Sequence, residues 1–359
     1  MEREEKDLFF KLCSFRTAGR EEVEALLKSA ATPAVLGHLF FNRMSAVAYG
    51  FLRKNDLLGR VNREFRNSLQ GAYEQSLQKN ARFFEAVQYV AHVLEAQPGL
   101  YAMLKGAVLC GRYPEGYRTA NDIDLLVSPE TVTEIGTRLK EVGFRQGHLR
   151  DGVFIHADRK EIIASKMMRG ETIPYIRQVD WPGLPYIEVD LNFSLDYKNS
   201  RPDSLRSMLG AREKIDGTAG DIWTLCREDF FIHLCGHLYK EATTLPWIAM
   251  HRDMTLYKYS DIYLLLDEMT PGEIDRLFAR ATELDMKDIC CFAILQTDQL
   301  FERVNAVAVA RASQELSDRP GFMDRVISPT DRKIYRYQES RVAKRFFAKD
   351  RTALLKEML

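Results

Sequence analysis

Residues 101–127 read YAMLKGAVLCGRYPEGYRTANDIDLLV, and the reading of the rest of the chain turns on them. At their end, Asp122-Ile123-Asp124-Leu125-Leu126-Val127 alternates and then runs apolar, the pattern of a buried strand with two carboxylates near its start. Side chains two apart on a strand share a face, so Asp122 and Asp124 point the same way. Two anions held side by side repel, and a hard, oxygen-seeking divalent cation such as Mg²⁺ resolves the repulsion. Upstream, Leu100–Leu104 is a short apolar run that passes through Lys105-Gly106 into Ala107-Val108-Leu109-Cys110, the first turn of a helix. A strand, a glycine and a helix N-terminus make a phosphate seat, since backbone N–H groups point outward and glycine lets a ligand come close. Lys105 adds a point charge there. A phosphate seat and a metal pair in one strand–helix–strand unit are what phosphoryl and nucleotidyl transfer need. An Asp-x-Asp by itself commonly only solvates a strand end; joined to the Lys-Gly pair in this order it says much more.

Leu104-Lys105-Gly106, then Arg118, then Asp122–Val127 resemble the uncharacterised bacterial nucleotidyltransferase family of the polymerase-β-like superfamily. The superfamily shows a hydrophobic residue, Gly and then Gly or Ser, followed later by an Asp-hydrophobic-Asp pair; here Ala107 stands at the second small position. The resemblance implies an α+β fold, a small mixed sheet with flanking helices embedded between helical regions. It also implies transfer of a nucleoside monophosphate from an NTP, ATP included, with Mg²⁺ or Mn²⁺ held by Asp122 and Asp124. Lys105, Gly106, Ala107 and Arg118 would face the phosphates. A third carboxylate comes from a later strand in such enzymes, and Tyr186–Phe193 offers one: Glu188, Asp190 and Asn192 share one face, Ile187, Val189, Leu191 and Phe193 the other. Family members carry a carboxylate two residues before a polar residue, usually His. Asn192 stands at that position and points to Asp190 rather than Glu188 as the third catalytic carboxylate and metal ligand, with a plain solvated strand face as the alternative. The stretch 228–240 resembles a family helix that packs over the nucleotide, which makes Lys240 a phosphate contact and Asp261, on the next such element, its orienting partner; solvated or capping roles are the alternatives. The implied acceptor is a hydroxyl or phosphate of a small molecule or peptide, with natural-product tailoring among the family's settings. The rival reading is a non-catalytic nucleotide-binding sensor or scaffold, motivated by Ala107 and Asn192.

The chain has 359 residues, with Lys+Arg and Asp+Glu at 51 each. A net charge of zero exerts no general pull on nucleic acid or anionic membrane, which disfavours a DNA or RNA substrate. Six cysteines form no CxxC pair, as expected of free thiols in a reducing cytoplasm. The charged N-terminus is followed by too short an apolar run for a signal peptide, and no stretch nears the roughly 20 apolar residues of a membrane span. A soluble cytoplasmic protein is the expectation.

Three regions are expected: a helical 1–97, a catalytic core at 98–200 and a helical 201–359. Helical spacing covers Asp7–Phe15, Glu21–Ala31 and Ala34–Lys54, and 61–96 reads as one long helix or two abutting ones. Gln97-Pro98-Gly99 breaks it. Ser128-Pro129-Glu130 opens a helix that runs to about Glu141, and Phe144–Leu149 and Val153–Ala157 read as strands. Lys160–Trp181 shows no clear period. His233 and His237, four apart, lack the glutamate of HExxH and are read as packed histidines rather than zinc ligands. Ile334–Leu359 reads as a solvated amphipathic helix.

Overall fold

Local signals start and stop the first helices. The Glu5 carboxylate accepts from the Glu2 amide at the head of α1 (Arg3–Leu12). After α2 (Arg20–Ala30), the Thr32 hydroxyl accepts from the Val35 amide as Pro33 opens α3 (Pro33–Phe41). The periodicity that suggests helix from Ala34 to Lys54 is interrupted where Arg43 takes φ +57°, and α4 (Ser45–Lys54) starts afresh. With no proline and a single glycine, α5 (Arg63–Leu94) then runs 32 residues as one helix. The computed structural model describes residues 1–15, 19–95, 100–195 and 201–358, apart from the side chains of Met168 and Arg169. The expected break at Gln97-Pro98-Gly99 lies outside the described residues.

The sheet region follows as β1 (Tyr101–Met103), α6 (Gly106–Arg112), β2 (Ile123–Val127), α7 (Val132–Glu141), β3 (Arg145–Arg150), β4 (Val153–His156), α8 (Arg159–Arg169), β5 (Tyr175–Trp181), β6 (Leu184–Asn192), α9 (Pro202–Gly210), β7 (Glu213–Gly217) and β8 (Gly220–Thr224). Ser128-Pro129-Glu130 forms a turn, with the Thr131 amide on the Ser128 carbonyl, and α7 begins after it. The strands make one 8-stranded mixed sheet in the order β4-β3-β5-β6-β2-β1-β8-β7. β2 runs parallel to β6 and β1 parallel to β8, while β1 and β2 are antiparallel. Ile123, Leu125, Leu126, Val127, Val189 and Leu191 are wholly buried at its centre. Each contributes on the order of 1.5–3 kcal/mol of burial, which makes the middle of the sheet its firmest part.

The chain continues with α10 (Arg227–Ala242), α11 (Leu245–Ala249), α12 (Leu256–Asp267), α13 (Pro271–Glu283), α14 (Lys287–Asp298) and α15 (Ala306–Glu315), then β9 (Arg325–Ile327), β10 (Ile334–Tyr337), α16 (Val342–Phe346) and β11 (Leu355–Glu357). It divides into two compact units, Met1–Tyr73 with Leu234–Leu359, and Glu74–His233, with boundaries inside α5 and α10. This differs from three consecutive regions at 1–97, 98–200 and 201–359. The two end regions join in one unit, and the sheet unit runs past residue 200 because β8 pairs with β1 at Met103↔Thr224 and brings β7 with it. The C-terminal stretch is also corrected: in place of a solvated helix, β10 and β11 pair with β9 in a 3-stranded sheet. Its basic residues are partly buried, Arg351 against Asp253 at 2.7 Å and Arg345 against Asp324.

Candidate active site

The second unit carries the acidic cluster. β2 and β6 lie side by side with Asp124 directly opposite Asp190, so the two carboxylates leave the sheet on one face. In β6 the alternation holds: Ile187, Val189 and Leu191 are buried, and Glu188, Asp190 and Asn192 between them are half-buried. Asp122 sits just before β2. Carboxylate oxygens of Asp122, Asp124 and Asp190 all lie within 4.8 Å of one another. Glu188 precedes the Ile123↔Val189 pair and adds a fourth carboxyl group that Asp122 and Asp124 act on.

Burial and the neighbouring carboxylates raise the proton affinity of Asp124, Glu188 and Asp190. Asp190 is pushed well above the carboxylate range, first by burial and then by Asp124, Asp122 and Glu188. Burial likewise raises Asp124, which is 5 % exposed, against the opposing pull of Lys105. Glu188 is pushed up to about 7 by burial and by Asp122 and Asp124. The Lys105 ammonium donates to Asp124 Oδ1 at 2.7 Å, while Asp190 Oδ1 is buried with no hydrogen-bond partner. A buried oxygen left without a donor costs about 1–3 kcal/mol, more when charged. Three hard oxygen donors converging around such an orphan suit a divalent cation.

The Lys105-Gly106 turn is built differently from a row of free amides. The Leu104 amide donates to the Asp124 carbonyl (2.9 Å), extending the β1–β2 ladder and setting Lys105 beside Asp124. Lys105 takes φ +43° and ψ −112°. The amides of Ala107 and Val108 then donate to the carbonyls of Leu104 and Lys105, and Gly106 and Ala107 are buried. Gly106 and Ala107, expected to face the phosphates, are thus both packed against protein on the side their bonds and burial describe. A Cβ on Gly106 would stand 2.2 Å from the Ala120 Cβ and 3.3 Å from Phe83 Cζ. Glycine serves there to let the 118–122 segment close down onto α6.

Arg118 is buried near the cluster and lowers the proton affinity of Asp124; its guanidinium donates to the Thr119 carbonyl. Two residues of α5 that motif reading passed over hold this segment. Asn80 donates to the Arg118 carbonyl (2.9 Å), and the Lys79 ammonium donates to Asn121 Oδ1. The available signal was Asn80 itself, a polar residue at an apolar phase of the helix between Leu77 and Phe83, and only 4 % exposed.

The structure thus gathers Asp122, Asp124, Asp190, Lys105 and Arg118. Lys240 and Asp261 belong to the other unit, on α10 and α12. His233 lies at the end of the sheet unit, and His237, in the other, faces Glu241 at 3.6 Å. Among the described residues the Asp122, Asp124 and Asp190 group is where three metal-capable side chains meet. The six cysteines are free. No described helix is long and apolar enough to cross a membrane.

The chain is similar, at 16 % identity and a TM-score of 0.37, to the crystal structure of an antigenic nucleotidyltransferase-like protein from Paracoccidioides brasiliensis, over 66 % of this chain and 88 % of that one. No curated protein matches. The uncharacterised nucleotidyltransferase family matches residues 30–302, which take in α3 through α14 and every acid of the cluster. The chain belongs to that family.

Proposed function

We propose that the chain is a metal-dependent nucleotidyltransferase that moves a nucleoside monophosphate from an NTP to a hydroxyl or phosphate of a small-molecule or peptide acceptor. The observation that supports this most is the meeting of three carboxylates within 4.8 Å, one of them, Asp190, with an Oδ1 that is buried and partnerless. Asp122, Asp124 and Asp190 would hold Mg²⁺ or Mn²⁺. A divalent ion held there supplies charge neutralisation at the phosphates and acidifies the attacking hydroxyl.

The remaining work falls to the chain's own groups. Asp190, whose buried carboxylate binds protons strongly, is suited to accept the acceptor's proton. Lys105 and Arg118 bring positive charge to the same edge of the sheet, where the leaving pyrophosphate needs it. Asn80 and Lys79 keep the 118–122 segment, and with it Asp122, in register. The acid-bearing face of β6 is half-buried, whereas the opposite face is packed.

Asp124→Asn keeps shape and removes charge. Calorimetry with each NTP in Mg²⁺ is expected to show binding to the native chain and none to the variant, with circular dichroism unchanged. Incubation with NTP and candidate acceptors, followed by mass spectrometry, is expected to give a metal-dependent adduct. Unaltered NTP binding by Asp124→Asn would remove the metal role, and binding without any adduct would return the non-catalytic sensor reading.

A further inference from the structure

We propose that Lys105 is an internal stand-in for the metal: its ammonium neutralises the acidic cluster until a divalent cation arrives, and it must leave Asp124 for that cation to bind. The inference rests on the reading of Asp122, Asp124 and Asp190 as the cation site.

Three features carry it. The ammonium sits 2.7 Å from Oδ1 of Asp124, whose carboxylate also belongs to the three-acid group, so a cation bound there would compete with the ammonium for one carboxylate. The backbone delivers it there at a visible cost, because φ +43° with ψ −112° is a conformation that glycine adopts freely and a residue with a Cβ does not. A glycine at 105 would relax the turn and bring no charge; lysine keeps the strain and brings one. Finally, the Lys105 side chain is 20 % exposed where that of Asp124 is 6 %, so the ammonium has a route toward solvent once displaced.

The consequence is a site guarded against a bare ion. When only a fraction of molecules have the ammonium off Asp124, apparent metal affinity is reduced by that fraction. Lys105→Met keeps the aliphatic stem and removes the charge, so it exposes the intrinsic affinity. A structural brace would behave oppositely, loosening Asp124 and weakening the metal.

The test is Mn²⁺ binding to the full chain without nucleotide, followed by the electron paramagnetic resonance of free Mn²⁺, for the native chain, Lys105→Met, Lys105→Gly and Asp124→Asn. Lys105→Met and Lys105→Gly are expected to bind Mn²⁺ on the order of tenfold more tightly than the native chain, and Asp124→Asn not at all. The metal-free melting temperature of Lys105→Met should fall, and Mn²⁺ should restore it to the native value; a brace would leave it low in both conditions. If Lys105→Met fails to fold, Lys105→Gly, which relieves the turn, decides alone. Equal or weaker Mn²⁺ binding by the lysine variants, with Asp124→Asn still inactive in binding, overturns the inference alone. Absence of Mn²⁺ binding by both the native chain and the lysine variants overturns the cation site itself, and the inference with it.

Discussion

Gly106→Ala is the perturbation that most sharply separates packing from ligand approach at the Lys-Gly turn. The new methyl would lie 2.2 Å from the Ala120 Cβ and 3.3 Å from Phe83 Cζ. Carbon atoms rest at about 3.5–4.0 Å, so one side must retreat by roughly 1.5 Å. Ala120 is 5 % exposed, and its segment is tied to Asn80 through the Arg118 carbonyl, so the retreat disturbs bonded structure rather than a loose tip. Overpacking of this kind costs about 1–3 kcal/mol. Replacing glycine by alanine in a helix returns up to about 1 kcal/mol, less at a first turn. The clash wins, and a net loss of about 2 kcal/mol is expected in urea unfolding. Mn²⁺ affinity should fall too, because the segment that moves carries Asp122. The second arm exchanges the methyl: Gly106→Ala with Ala120→Gly removes the close pair and leaves mainly the cost of a new glycine, roughly 0.5–1 kcal/mol. A double-mutant cycle should therefore show coupling of about 1 kcal/mol or more. A neutral Gly106→Ala, or a pair whose effects simply add, would refute the packing argument and restore glycine's role toward a ligand.

Two further outcomes follow from the charges. The metal-free protein should lose stability as pH rises from 5 to 8. Glu188 is raised to about 7, and Asp190 and Asp124 are raised as well, so the folded state binds more protons than the unfolded one there. That contribution is complete below the ordinary carboxylate pKa and is lost as pH passes through about 7. Because Glu188 is partly exposed, its slope should be only a fraction of the ~1.4 kcal/mol per pH unit of a full proton; Glu188→Gln should flatten the curve, and a native curve that rises over this range contradicts the argument. In the other unit, Arg351→Met strips Asp253 of the guanidinium that donates to it at 2.7 and 3.0 Å, both side chains being at most 4 % exposed. Unfolding free energy should drop by about 3–5 kcal/mol, and a loss below about 1 kcal/mol would show the pair to be dispensable.

Much of the chemistry was legible from local pattern. The alternation of Asp122–Val127 and Tyr186–Phe193 is a period of two, which any reader of the chain can count, and both segments form strands with the acids on one face. A proline-free run with helical spacing became α5. These features depend on neighbours within a few residues, and local sterics and solvent exposure decide them. Less legible were the pieces whose partners lie far along the chain. β7 and β8 were read as part of a helical region because short strands carry little periodicity of their own; β8 gains its place by pairing with β1 across more than a hundred residues. Charge is ordinarily solvated, so the basic run after residue 334 reads as a surface helix, yet Arg345 and Arg351 are buried against Asp324 and Asp253.

The residues alone determined that this chain places paired carboxylates on a strand after a Lys-Gly turn, and hence the kind of chemistry to look for. Glu188 and Asp190 share a face of β6, so a two-residue period cannot separate them; the register across β2 sets Asp190, not Glu188, opposite Asp124. Tertiary structure also decided what Lys105 and Gly106 touch, an acid and a methyl group brought in by segments 14 and more residues away that no local pattern connects to them. Periodicity describes which way a side chain points, and only the pairing of distant strands and helices says what it meets.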